Sequence, residues 1–397
     1  MMQGDIKHWL ALSAIKNVGP GTVRKLLAHF KTPENIFKAT LTELKAVEGV
    51  KSFRAESVKN FNSWDAVELA LKKIEQNGIK VFCYLEDDYP EMLKPFPDSP
   101  PLLFVKGDIV REDRYAIAIV GTRKLSHYGQ KVAEKFTGEL VDMGFTIVSG
   151  MARGIDTIAH REALKCNGRT IAVLGTGIDI AYPPENLWLM QRIAENGAVV
   201  SEFLPGTRPQ RENFPIRNRI ISALSLGVLV VEAGQRSGAL ITANFALEQG
   251  KEVFAVPGNV LSLSAQGSHS LIQSGAKLVN NACDILGELG DLIKAYIKER
   301  KENPPVKRNA EKSKTTAAEK RKVSAHDSLR TTSDEKPVSE QSDDGKKVFS
   351  VLGFESMHVD EIIRKTLLPA HKVLNVLLEL ELKGLVKQSE GMKFYIV

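Results

Sequence analysis

Six short, almost wholly apolar runs recur between residues 115 and 260, at 116–120, 146–148, 170–174, 198–200, 227–231 and 252–256, and segments of helical period separate most of them. A strand that is apolar on both faces must be covered on both. The pattern therefore predicts an α/β core, a mostly parallel sheet between layers of helices. Turns of glycine, serine and arginine accompany the runs: Gly121-Thr122-Arg123, then Ser149-Gly150-Met151-Ala152-Arg153-Gly154-Ile155-Asp156, Arg217-Asn218-Arg219, and Ser237-Gly238. Glycine permits close backbone approach, a helix start offers unpaired N–H groups, and arginine adds a rigid fork of donors. Gathered at one sheet edge, such turns suit phosphates, so the chain reads as one that holds a phosphorylated polymer or a nucleotide.

The motifs narrow the chemistry. Gly121-Thr122-Arg123 lacks the second and third glycines of a dinucleotide fingerprint, and no G-x-x-x-x-G-K-[ST] occurs, which argues against hydride transfer and P-loop hydrolysis. There is no H-E-x-x-H, no histidine paired with a serine or cysteine near the turns, and only the separated acids Glu202 and Glu232. No catalytic residue and no cofactor are expected. Cys83, Cys166 and Cys283 form no C-x-x-C pair, so neither a metal site nor a disulfide framework is expected, and a reducing cytoplasm fits. The start from Met1 to His8 lacks the pattern of a secretion signal, and no apolar run is long enough to cross a bilayer, so membrane insertion is not expected.

A chain of 397 residues exceeds the usual size of one core. Residues 1–75 read as a small helical domain, with Trp9, Leu12 and Ile15 on one face and Val23, Leu26, Leu27 and Phe30 on another. Its glycine turns, Asn17-Val18-Gly19-Pro20-Gly21 and Val47-Glu48-Gly49-Val50, have the form of a helix-hairpin-helix, which either presents N–H groups to nucleic-acid phosphates or simply folds a bundle. The α/β core occupies 76–290. A charged helix and a tether follow at 291–345, where 303–345 holds no Phe, Tyr or Trp and cannot bury enough apolar surface to fold alone. Residues 346–397 read as a winged helix, three helices and a hairpin around Glu390-Gly391, with Val373, Leu374, Leu377, Leu378, Leu380 and Leu382 as candidate core. Lys and Arg number 54 against 48 Asp and Glu, a net +6 that favours acidic partners only weakly.

Each candidate site residue has two readings. Arg123, beside a strand end, makes a surface salt bridge or a phosphate fork. The glycines at 150 and 154 free helix-start N–H groups for an anion, with the Ser149 hydroxyl as an added donor, or else let helices pack tightly. Asp156 is read as a helix-start acid rather than a base. Arg217 and Arg219 diverge by about 200° on a helix, so one binds ligand while the other ties the helix to Glu202 or Glu232. Asn218 reads a base or fixes a loop. Arg123 and Arg217 are both expected to be removable with little loss of fold.

At these residues the chain resembles the DprA/Smf family of bacterial DNA-processing proteins, which supports natural transformation and recombination. The resemblance runs through Asp88-Tyr89-Pro90, Ile119-Val120-Gly121-Thr122-Arg123, the Ser149 to Asp156 turn, Tyr182-Pro183, Phe214-Pro215-Ile216-Arg217-Asn218-Arg219, Ser237-Gly238-Ala239-Leu240-Ile241-Thr242 and Val256-Pro257-Gly258. It spans about residues 80–290. It implies a Rossmann-like core that binds single-stranded DNA in a positive pocket, forms homodimers and loads RecA recombinase, with no enzymatic step. The pocket positions it implies are Gly121, Arg123, Ser149, Gly150, Arg153, Gly154, Arg217 and Arg219, with Lys251 as a neighbour. The alternative is a nucleotide-processing enzyme, such as a phosphoribohydrolase, working through Glu202 or Glu232.

Overall fold

The computed structural model describes residues 3–290 and, beyond them, 347–348, 351–352, 357–366, 368–369, 372–373, 376–377, 380–381, 386–389 and 393–396. The charged helix and tether expected at 291–345 lie outside the described residues. The chain divides into two units, Met1–Val306 and Lys307–Val397.

In the first unit nine strands form one sheet: β1 (Lys80–Cys83), β2 (Leu102–Gly107), β3 (Ala116–Val120), β4 (Thr146–Ser149), β5 (Thr170–Val173), β6 (Ala198–Ser201), β7 (Gly227–Val230), β8 (Glu252–Ala255) and β9 (Lys277–Leu278). Their order is β1-β2-β6-β5-β4-β3-β7-β8-β9. β1 and β2 pair antiparallel, as do β2 and β6, and every other pairing is parallel. All six apolar runs are strands of this sheet, and each is covered on both faces as its composition demands. Ile117 and Ile119 point into one apolar layer with Phe136, Leu140 and Ile155. Ala116, Ala118 and Val120 point into the opposite one with Ile220, Ile221 and Ala243. The two-residue β9 is too short to leave a periodic trace in the sequence.

From β3 the chain builds outward through β4, β5 and β6, then returns to place β7 on the other side of β3. Neighbouring connections leave β3 and β7 in opposite directions, and a crevice opens beyond their carboxyl ends, where open α/β sheets bind ligands.

Before the sheet come six helices: α1 (Gln3–Ala14), α2 (Pro20–Phe30), α3 (Pro33–Lys38), α4 (Leu41–Ala46), α5 (Ser52–Lys59) and α6 (Trp64–Gln76). Within the sheet region follow α7 (His127–Asp142), α8 (Ile155–Lys165), α9 (Leu187–Asn196), α10 (Asn213–Ala223), α11 (Gly238–Glu248) and α12 (Gln266–Gln273). The N-terminal helices share one apolar cluster with the sheet, Leu10, Leu26, Ile36 and Leu44 lying in it with Phe104, Leu174, Leu189 and Ile193. Arg24 adds a hydrogen bond to the Phe96 carbonyl at 2.5 Å, and Lys73 pairs with Asp179 at 3.1 Å. The helical region is thus fastened to the core rather than strung from it.

The second unit holds α13 (Val359–Thr366) and a three-stranded sheet, β10 (Met357–His358), β11 (Val386–Ser389) and β12 (Lys393–Ile396), in the antiparallel order β10-β12-β11. Val359, Ile362, Val373, Leu377, Leu380, Val386 and Phe394 form its core. Leu374, Leu378 and Leu382, also expected there, lie outside the described residues, as does the Glu390-Gly391 turn.

Candidate nucleic-acid interface

A groove of about 790 Å³ occupies the crevice at the ends of β3 and β7. Besides the buried Arg217, four cations reach it from three turns: Arg123 and Lys124 after β3, Arg211 before α10, and Arg236 after β7. All four are exposed. Elsewhere arginines are committed, Arg153 to Glu185, Arg169 to Asp113 and Arg219 to Glu202. Among the described residues no carboxylate pairs with the four that line the groove. Tyr182 and Phe214 form an aromatic wall, ring centroids 5.3 Å apart, and the Arg123 guanidinium lies 5.7 Å from the Phe214 centroid.

Arg217 is the floor. It is 3% exposed, and its Nη1 donates to the carbonyls of Gly150, at 2.7 Å, and of Val173. One guanidinium thereby caps the carboxyl ends of β4 and β5. Burial lowers its pKa to about 10, against the pull of Asp156. Asp156, the only acid among the lining residues, is itself buried. Burial raises its carboxyl to about 6, opposed by Arg217, by the Ala152 N–H that it accepts at 3.3 Å, and by Arg123. Its place in the first turn of α8 is the one read from the sequence.

Two glycines make this geometry possible. Gly154 has φ +81°, and a Cβ there would stand 2.1 Å from the Thr122 carbonyl oxygen, so only glycine lets the loop after β4 close onto the loop after β3. A Cβ on Gly150 would stand 2.6 Å from the Arg217 guanidinium. Both glycines therefore serve tight packing beneath the groove.

The expected positions divide accordingly. Gly121, Arg123, Arg217 and Asn218 line the groove. Asn218 fixes a loop, accepting from Arg217 Nε at 3.1 Å and donating to the Gly238 carbonyl at 3.3 Å. Ser149 does not face an anion: it is fully buried and donates to the Ile119 carbonyl at 2.7 Å. Arg153 is exposed and held by Glu185 at 2.5 Å. Arg219 is 6% exposed and grips Glu202, so of the two readings for the arginine pair it takes the tie and Arg217 the floor. Lys251 donates to the carbonyls of Ser222 at 2.9 Å, Ala223 at 2.6 Å and Ser225, closing the C-terminus of α10, and burial pushes its pKa down to about 7. The expectation that Arg217 can be lost without harm to the fold is also corrected, because a buried guanidinium joining two strand ends is structural. Sequence reasoning did not assign Lys124, Tyr182, Arg211, Phe214 or Arg236 to the site. The nearest signal was the placing of aromatic residues within the same glycine- and arginine-rich turns.

Fold and groove define an open-sheet α/β protein with a cation-lined crevice at its switch point. The chain belongs to the DprA/Smf family: the family model described as DNA recombination-mediator protein A matches residues 80–290. The DprA winged helix domain matches 332–392, and a SAM-like helix-hairpin-helix tandem matches 10–61. Protein Smf of Synechocystis sp. is 35% identical over 412 residues, covering 99% of each chain. DNA processing protein DprA of Streptococcus pneumoniae is 47% identical over 207 residues, covering 52% of this chain and 73% of that protein. The X-ray structure of the Streptococcus pneumoniae protein matches with a TM-score of 0.60 and 38% identity, covering 71% of this chain and 96% of that one. Among the described residues no helix is long and apolar enough to cross a membrane.

Proposed function

We propose that the chain binds single-stranded DNA in the groove between β3 and β7 and passes the strand to a RecA recombinase, acting as a homodimer and as a binding protein rather than an enzyme. The observation that carries this reading is the meeting of four exposed cations, none of them ion-paired among the described residues, with the Tyr182–Phe214 wall. Cations bind the backbone, while an aromatic face takes a base only when that base is free of its partner strand, a combination that favours single strands over duplex and tolerates any sequence. Membership of a DNA recombination-mediator family supports the handover to a recombinase.

The enzyme alternative needs Glu202 or Glu232 in contact with a substrate. Glu202 is taken by Arg219, and the buried Glu232 accepts from Ser126 Oγ at 2.9 Å and from Ser264 Oγ. Neither lines the groove. The test is an oligonucleotide titration of the full chain with single and double strands of one length, beside chromatography of free nucleotides incubated with it. Preference for the single strand with nucleotides left intact is expected. Equal affinity for duplex, or release of base or phosphate, would overturn the reading.

A further inference from the structure

Tyr182 ends the groove wall and lies late in the loop that runs from β5 into α9. Leu187 and Trp188, which open α9, are 50% and 59% exposed. Of the chain's three tryptophans, Trp9 lies in the apolar core at 5% exposure and Trp64 is half-buried, so Trp188 is the one offered to solvent. Burying an indole contributes several kcal/mol, and a core-facing helix usually turns such a residue inward. Here Leu189, Met190 and Ile193 supply the buried side of α9 instead.

The position of Trp188 follows from topology. α9 connects two parallel neighbours, β5 and β6, so its first turn stands at the carboxyl edge of the sheet, the edge that carries the groove. Asn186 fixes that turn, donating to the Met151 carbonyl at 3.1 Å and to Thr157 Oγ1 at 2.8 Å, and Arg153 holds Glu185 beside it. The loop after β6 adds the exposed cations Arg208 and Arg211, and Arg211 already lines the groove. An exposed indole therefore stands on the β5–β6 side of the same sheet edge that carries the groove and its Tyr182–Phe214 wall.

We propose that Trp188, with the exposed Arg208 of the loop after β6, forms an outer subsite that stacks a base of the DNA strand as it leaves the groove past Tyr182. This rests on the groove being the DNA site, and it gives the bound strand a direction. The shared sheet edge and the exposed Arg208 and Arg211 on the loop after β6 select a nucleic-acid strand over an apolar protein surface as the occupant.

The test uses the full chain and oligothymidylates of about 6 and about 20 nucleotides, the short one filling the groove alone. The longer strand is expected to quench tryptophan fluorescence, and Trp188→Phe to abolish the quench. Trp188→Ala is expected to weaken binding of the longer strand about tenfold and to leave the short one unchanged, since one lost base stack has that effect. Arg123→Ala is expected to weaken both. Quenching that survives in Trp188→Phe, or unchanged affinity of Trp188→Ala for the longer strand, would overturn the outer subsite. A loss of dimer mass or of recombinase binding in Trp188→Ala at unchanged DNA affinity would do the same and mark a protein contact. Failure of Arg123→Ala to weaken the short strand would instead overturn the groove itself.

Discussion

Arg219 holds Glu202 through two parallel hydrogen bonds, Nη1 to Oε1 at 2.5 Å and Nη2 to Oε2 at 2.6 Å, and both side chains are nearly sealed from solvent. Its Nε also donates to the Asp98 carbonyl at 3.0 Å, so one guanidinium joins α10, the end of β6 and the loop before β2. Removing one partner of such a pair leaves the other charged and buried, which costs about 3–5 kcal/mol. Arg219→Ala and Glu202→Ala are therefore expected to unfold at much lower urea concentration than the parent. A shift within error of zero in both would show that the pair is dispensable.

Arg123 stands in the opposite situation, exposed and, among the described residues, in ion-pair contact with no carboxylate. Arg123→Ala is expected to leave the urea midpoint unchanged and to weaken single-stranded DNA by about 1.5–3 kcal/mol, the worth of a charge-assisted hydrogen bond. Phe214→Ala is expected to cost about 1–3 kcal/mol through lost stacking. Titrations at one fixed salt concentration decide both, and parental affinity in the pair of variants would remove the groove from consideration.

Salt separates the two kinds of loss. Each phosphate neutralised on a single strand contributes about −0.7 to the slope of log K against log salt. Arg123→Ala, Lys124→Ala and Arg236→Ala are each expected to flatten the slope by about that amount, whereas Phe214→Ala should lower affinity in parallel at all salt concentrations. An aromatic variant that changed the slope as an arginine variant does would contradict the division of labour in the wall.

Asp156 is expected to make the groove sensitive to pH. Its folded-state pKa, about 6, is raised above the ordinary 3.8, so the stability it contributes in protonated form is complete below about 3.8 and is lost as pH rises through about 6. A phosphate bound above it would raise the pKa further, so binding is expected to take up a proton and DNA affinity to increase as pH falls from 7.5 toward 5.5. Asp156→Asn is expected to bind at pH 7.5 as tightly as the parent does at low pH, and to flatten the dependence. Affinity measured across that range tests the sign, and a parental affinity that falls on acidification would overturn it.

The alternation of apolar runs with helical periods announced the doubly covered sheet, because a strand buried on both faces has little other composition open to it. Of the residues it singled out, Gly121 and Arg123, in the turn after β3, and Arg217, in α10, line the groove. What it could not divide was one arginine from the next. Arg217 and Arg219 differ only by a rotation about the helix, and which of them meets Glu202 depends on β6, brought alongside from elsewhere in the chain. Ser149 misled for a similar reason: a serine at a strand end looks like a free donor until the neighbouring strand offers the Ile119 carbonyl.

Lys251 shows how a cation in the right stretch of sequence is committed elsewhere. Its ammonium closes the carbonyl end of α10 through Ser222, Ala223 and Ser225 and lies 5.1 Å from the Phe96 ring centroid, outside the groove. A cation at a helix C-terminus satisfies acceptors that have no partner within the helix and opposes the negative end of its dipole. Lys251→Met keeps most of the aliphatic stem and removes the charge, leaving those carbonyls without their donor. The expected loss is about 1–3 kcal/mol of stability, read as a lower urea midpoint. Single-stranded DNA affinity, measured on the folded protein at the same salt, is expected to match the parent. A variant that kept its stability but bound the oligonucleotide tenfold more weakly would put Lys251 on the path of the strand and require the groove to extend beneath α10.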